Sequence, residues 1–239
     1  EKGRQEIKTV EEKTEQDLIY PAIGGRDIKR WHAEHKTFML LAQDTKTRRG
    51  YSEEFFKANY PRTYGYLLQF KDVLLKRPLY KKFHEEVAAP FYSQFNISTD
   101  TFSLYKVVWK AIADDIYATV ISQVKTDIGF KTLIPIQTVA FFYSDNESEA
   151  HYLCAIINSR PTRDFIKSFS PAVGGRLGTP SVMEHIAIPK FNPKNELHRK
   201  LSEISQRCHQ FKIEGKEKKI EGLEKENDGL VEDLFKLVE

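Results

Sequence analysis

Leu133-Ile-Pro-Ile-Gln-Thr-Val-Ala-Phe-Phe-Tyr143, followed by Ser144-Asp-Asn-Glu-Ser-Glu-Ala-His-Tyr-Leu-Cys-Ala-Ile-Ile-Asn-Ser159, decides the fold class. The first eleven residues form a short apolar run, rich in β-branched and aromatic side chains and of strand length, in which Pro135 predicts an edge or a break. At Ser144 the period changes. Ala150, Leu153, Ile156 and Ile157 recur at helical spacing, and Ser144 with Glu147 three residues later has the pattern of a capping box. The helix should end near Asn158 and Ser159, because Pro161 cannot continue it.

Working outward, residues 101–109 and 116–124 are also strand-like, so the centre of the chain is β-rich. Further upstream, the apolar run 37–42 predicts a strand. Residues 51–59 and 61–75 predict helices, the second opening with Pro61 in the favoured first turn and presenting Tyr64, Leu67, Leu68 and Leu75. Downstream, a short helix over 163–169 leads into 170–180, the most glycine-rich stretch of the chain. After Pro193 the texture becomes a charged helix with Leu197, Leu201, Ile204, Cys208 and Phe211 at alternating four- and three-residue steps. The phase slips near Gly215, and Leu230, Val231, Leu234, Phe235 and Val238 mark a final amphipathic segment. The apolar stripe must pack on its own domain, on a preceding portion, or on a second copy.

This pattern predicts an α+β protein: a mixed β-sheet domain over 20–193 with a helical C-terminal extension over 194–239. The charged lead over 1–19 reads as a linker from a preceding domain.

With 239 residues, 40% hydrophobic and 12% aromatic, the chain can bury a core without disulfides. No run approaches the ~20 apolar residues needed to cross a bilayer, and no apolar signal core opens the chain, which predicts a cytoplasmic protein. Cys154 and Cys208 lack the paired spacing of a zinc site or disulfide framework and read as reduced core residues. The net charge is only +3, but residues 20–190 hold 23 basic against 17 acidic side chains, a net of +6. Charge alone fits an ordinary mixed surface as well as a nucleic-acid binder.

Catalytic motifs are absent. A methyltransferase acting on an exocyclic amino group needs a glycine-rich cofactor loop after a strand and an Asn/Asp/Ser-Pro-Pro-aromatic motif to hold the flipped base, and neither occurs. Glu6-Ile-Lys8 and Glu11-Glu-Lys13 match a nuclease triplet only within a Lys/Glu-rich lead, without a preceding Pro-Asp. His32 and His35 have no third ligand nearby and read as surface histidines. Gly174-Gly-Arg-Leu-Gly178 lacks the Lys-Ser or Lys-Thr of a phosphate loop. The positive signal is Gly-Gly-Arg, at 24–26 and 174–176, where a slim backbone can approach a phosphate while the arginine reaches a base edge or a second phosphate. Read blandly, each is a turn with a solvated arginine.

Five strings, in order, resemble the target-recognition region of TaqI-like adenine-specific DNA methyltransferases and the fused type IIG restriction-methylation enzymes. They are Ile19-Tyr-Pro-Ala-Ile-Gly-Gly-Arg-Asp-Ile-Lys-Arg-Trp31, Pro61-Arg-Thr-Tyr-Gly-Tyr-Leu-Leu-Gln-Phe-Lys-Asp-Val-Leu-Leu-Lys-Arg77, Phe102-Ser-Leu-Tyr-Lys-Val-Val-Trp109, Glu149-Ala-His-Tyr-Leu-Cys-Ala-Ile-Ile-Asn-Ser159, and Ile186-Ala-Ile-Pro-Lys-Phe191 with Leu230-Val-Glu-Asp-Leu-Phe235. The resemblance implies a non-catalytic specificity domain that clamps double-stranded DNA against an N-terminal methyltransferase domain. S-adenosylmethionine is expected in that domain and no cofactor in this chain. The strings themselves read as scaffold, so the DNA contacts are chosen by chemistry: Arg26, Lys29 and Arg30 in the opening motif, Arg48 and Arg49 in a polar loop, Lys106, and Arg176, with Arg49 and Arg176 as base readers. The competing expectation is an assembly module that self-associates through the C-terminal helices.

Overall fold

The computed structural model describes residues 9–169 and 180–236. The architecture is α+β, with helices and several small sheets, both mixed and antiparallel. The chain opens with β1 (Ile19–Ile23), β2 (Ile28–Lys29), β3 (His32–Ala33) and β4 (Thr37–Leu40). It divides into two compact units, one made of residues 1–19 and 40–99, the other of 20–39 and 100–239.

The first unit holds β5 (Gln43–Asp44), β6 (Arg49–Gly50), α1 (Glu53–Asn59), α2 (Pro61–Leu68), α3 (Lys71–Leu75) and α4 (Pro78–Phe83). The helix predicted over 61–75 is two helices, because Gln69 and Phe70 donate to Tyr66 and Leu67 and close a tight turn between them. That bend keeps Leu67, Leu74 and Leu75 all against one aromatic core of Phe56, Tyr64, Phe91 and Tyr92. Phe56 meets Tyr92 edge-on at 4.7 Å between centroids, a geometry that adds quadrupolar attraction to area burial. Tyr60 gives α2 no side-chain cap. Glu15 supplies it from the charged lead, its carboxylate accepting from the amides of Arg62 at 3.1 Å and Thr63 at 2.8 Å. Partial burial raises the Glu15 pKa, and the Thr63 hydroxyl and these amides outweigh it, so the net shift is downward.

The second unit holds β7 (Tyr105–Lys110), β8 (Ala118–Ile121), β9 (Gln123–Thr126), β10 (Gly129–Thr132), β11 (Ile134–Pro135), β12 (Val139–Ser144), α5 (Glu147–Asn158), α6 (Arg160–Phe169), α7 (Pro180–Met183), α8 (Glu196–Ile213) and α9 (Glu217–Lys236). Antiparallel β12-β7-β8 is the main sheet, and β1 lies between β11, to which it is parallel, and β4. The strand expected over 133–143 is therefore two strands in two sheets, parted by a turn in which Val139 donates to Ile136. The one expected over 116–124 divides into β8 and the start of a separate β9–β10 hairpin. Residues 99–102 form a 3-10 turn rather than strand.

Ser144 does not cap α5. Asn146 does, accepting from Glu149 N, while the Ser144 hydroxyl donates to the Glu149 carboxylate at 2.6 Å. Pro161 ends α5 as expected but sits in the first turn of α6, where a missing N–H costs nothing. The stripe of α8 packs within its own unit: Ile204 and Cys208 join Trp31, Trp109, Ala150, Cys154, Ile157, Ile220 and Leu223 in one core, and Leu201 meets Tyr152, Ile156, Val231 and Leu234 in another. Both cysteines are free and buried, and burial pushes the Cys208 thiol up to about 12.

Among the described residues no helix is long and apolar enough to cross a membrane.

The edge of β8 away from β7 is covered by the Trp31 amide, which donates to Ala118 O at 3.1 Å, and by side chains. Ala118 donates to Asn158 Oδ1 at 2.8 Å and accepts from its Nδ2 at 2.9 Å. Val120 donates to His209 Nε2 at 2.9 Å, and His209 Nδ1 donates to the Ser205 carbonyl at 2.7 Å, so the neutral ring is held in one tautomer. Next to it, His151 Nδ1 lies 2.9 Å from the Ser205 hydroxyl. Burial pushes His209 down to about 4 and His151, with the His209 ring beside it, down to about 3.

Candidate nucleic-acid interface

In the first unit, β5 and β6 pair as Gln43↔Gly50 and Asp44↔Arg49, joined by the turn Thr45-Lys46-Thr47-Arg48. The sequence folds this way because Asp44 Oδ1 accepts from the Lys46 amide at 2.9 Å and because Arg48 takes up φ +57°. The base of the hairpin is fixed. Gln43 Nε2 donates to Gln94 O at 3.0 Å and Gln43 Oε1 accepts from Gln94 N at 3.1 Å, while Gly50 N donates to Ser93 Oγ at 2.9 Å. A Cβ on Gly50 would lie 2.6 Å from the Tyr92 ring, so only glycine lets the strand pass this close. The tip is exposed: Lys46, Thr47, Arg48 and Arg49 stand in solvent. Beside it Arg49, Tyr51, Phe55 and residues 87–90 line an open cleft of about 560 Å³. A rigid stem carrying three cations on a short turn can follow a phosphate backbone at little cost in ordering.

In the second unit, Gly24 N donates to Asp27 Oδ2 at 2.8 Å and Gly25 N to Thr138 Oγ1 at 2.9 Å. A Cβ on Gly25 would come within 3.1 Å of the Thr138 carbonyl. The glycines thus serve packing of the turn, and Arg26 and Lys29 are exposed around it.

The expected contacts therefore divide. Arg26, Lys29, Arg48 and Arg49 are exposed. Arg30 is an internal brace: Nη1 lies 3.0 Å from Glu224, Nη2 donates to the Asn158 carbonyl, and the guanidinium stands over the Trp31 ring at 5.8 Å. Burial lowers its pKa, opposed by Glu224. Lys106 is fully buried, its Nζ donating to the Ser103 carbonyl at 2.6 Å, and burial pulls its pKa down to about 8. Its ammonium is turned into the protein, away from any ligand at the surface. Arg176 and the second Gly-Gly-Arg lie outside the described residues. Lys46 joins Arg48 and Arg49 at the tip. The signal for it is Asp44-Thr-Lys-Thr-Arg48, since an Asp at the start of a polar stretch is turn chemistry and Lys46 lies within that turn.

His32 lies on β3 and His35 packs its ring edge-on to Phe38 at 5.5 Å. Among the described residues no three His, Cys, Asp or Glu side chains converge to hold a metal.

No family model matches the chain. Over 201 residues it is 27% identical to the type II methyltransferase M.MjaIV of Methanocaldococcus jannaschii, an alignment that takes in 80% of this chain. The chain spans 60% of that protein's length, and its similarity is to a methyltransferase.

Proposed function

We propose that this chain recognises duplex DNA as the non-catalytic specificity part of an adenine-specific DNA methyltransferase, or of a restriction-methylation enzyme, with S-adenosylmethionine bound by a separate methyltransferase domain. The observation that carries this reading is the β5–β6 tip, where Lys46, Arg48 and Arg49 are held in solvent by a stem pinned at Gln43 and Gly50. Arg26 and Lys29 offer a further exposed basic patch on the second unit. The likeness to a type II methyltransferase supports the enzyme class proposed for the parent. The missing catalytic motifs support assigning recognition, rather than methyl transfer, to these residues.

Phosphate contacts should dominate affinity, and Arg49, at the lip of the cleft, is the best placed to reach a base edge. The test is fluorescence anisotropy of the chain with a mixed-sequence duplex across a salt series, beside an Arg48→Glu/Arg49→Glu variant. Steep weakening with salt in the parent, and a log–log salt slope shallower by about 2 in the variant, are expected if each arginine neutralises one phosphate. Salt-insensitive binding, or none at low salt, would overturn the reading.

A further inference from the structure

The β9–β10 hairpin stands apart from the other sheets: among the described residues its two strands pair only with each other, in the register Gly129↔Thr126, Phe130↔Lys125, Lys131↔Val124 and Thr132↔Gln123. The turn that closes it needs Gly129, at φ +102°, and Thr126, whose hydroxyl donates to Gly129 O at 2.8 Å and accepts from Ile128 N at 3.2 Å. Strand alternation separates two faces. One face anchors the ribbon. Lys131 Nζ stands 5.3 Å over the Tyr20 ring, which meets Phe102 edge-on at 5.2 Å, and Val124 joins the core beside Ile121 and Leu133.

The opposite face carries Gln123, Lys125, Phe130 and Thr132, with Lys125 and Phe130 directly across from each other. Phe130 is 71% exposed, a large apolar ring held in water. The strand residues paired on that face are polar or cationic, and the nearest acidic residue, exposed Asp127, lies in the turn beyond them. A protein partner would call for a contiguous apolar patch ringed by polar groups. A single ring amid an amide, a hydroxyl and an ammonium suits a base step flanked by phosphate. A two-stranded antiparallel ribbon also has the width that a DNA major groove admits.

We propose that this free face enters the major groove of duplex DNA, with Phe130 against thymine C5-methyl groups, Gln123 on an adenine edge and Lys125 on a phosphate. The assignment rests on the DNA-recognition reading above and adds to it an element of the second unit that reads bases.

The test uses the whole chain and a mixed-sequence duplex in which 5-iodouracil replaces thymine, so that the photoreactive atom sits where the methyl would be. Irradiation at low salt should cross-link a peptide containing Phe130. Lys125→Ala/Phe130→Ala should weaken binding about tenfold, as loss of one groove contact and one phosphate contact implies. Both side chains are exposed, so the variant should keep the parent's circular dichroism and melting temperature. If the chain binds the duplex but cross-links elsewhere, and the variant binds like the parent, the ribbon assignment falls while the function stands. If the chain does not bind at low salt, both fall.

Discussion

Gly50 shows how much a single missing atom fixes. With a Cβ 2.6 Å from Tyr92 Cε2, alanine there must push either the hairpin or the aromatic core. Gly50→Ala should destabilise the first unit by about 1–3 kcal/mol, the range of overpacked cores, and should loosen the tip that presents Arg48 and Arg49. Chemical denaturation gives the first quantity and the affinity for DNA the second; an unchanged denaturation midpoint would contradict the close approach. Residue identity alone was a partial guide to which cations reach the surface. Arg26, Lys29, Arg48 and Arg49 are exposed. Lys106 misleads because Tyr-Lys-Val-Val-Trp reads as a strand with one wet face, whereas β7 is the central strand and residues 106–109 are all buried. Arg30 misleads for another reason: its partner Glu224 is far away in sequence, on α9.

Elements were legible where one period persists. The helix over 147–158 and the stripe of α8 were read from spacing, because apolar residues at three- and four-residue steps have one sensible burial. Breaks were less visible. The split of 61–75 depends on which core each half meets, and that is decided by segments distant in the chain, whereas Pro135 did mark the place where β11 ends and the strand breaks. The β9–β10 ribbon was missed although Thr126-Asp-Ile-Gly129 carries turn residues, since its strands are too short and too polar to alternate clearly. The link from helix to sheet through His209 and His151 has a pH signature. Both are depressed in the fold, to about 4 and about 3, from an ordinary 6.5. From about pH 6.5 down to 4 the unfolded chain therefore binds more protons, and stability falls as pH falls; above pH 6.5 both states are neutral and the contribution is level. Denaturation midpoints measured from pH 7.5 to 4.5 should decline, and a His151→Gln/His209→Gln variant should decline less steeply. Equal slopes in the two proteins would rule out these rings as the cause.

At the scale of the molecule, the segment after Pro193 is core rather than appendage to the second unit. Leu201, Ile204, Cys208, Ile220, Leu223, Val231 and Leu234 are all buried there, and Asn227 Nδ2 donates to Ala155 O at 2.9 Å within it. A chain ending at residue 193 should lose cooperative unfolding, since large-to-small changes at even one such position cost about 2–5 kcal/mol; a cooperative thermal transition in the truncated chain would show that the helices are dispensable.

The closed edge of β8 has a consequence for how this protein behaves in crowded solution. An open strand edge is a template on which another chain can grow, and proteins commonly guard against it with charge, proline or a bulge. Here an amide and an imidazole occupy the hydrogen-bonding positions of Ala118 and Val120, so the guard is itself titratable. Burial holds that imidazole neutral down to about 4, so its lone pair stays on Val120 through mild acidification, and this half of the edge opens only in acid strong enough to charge the ring.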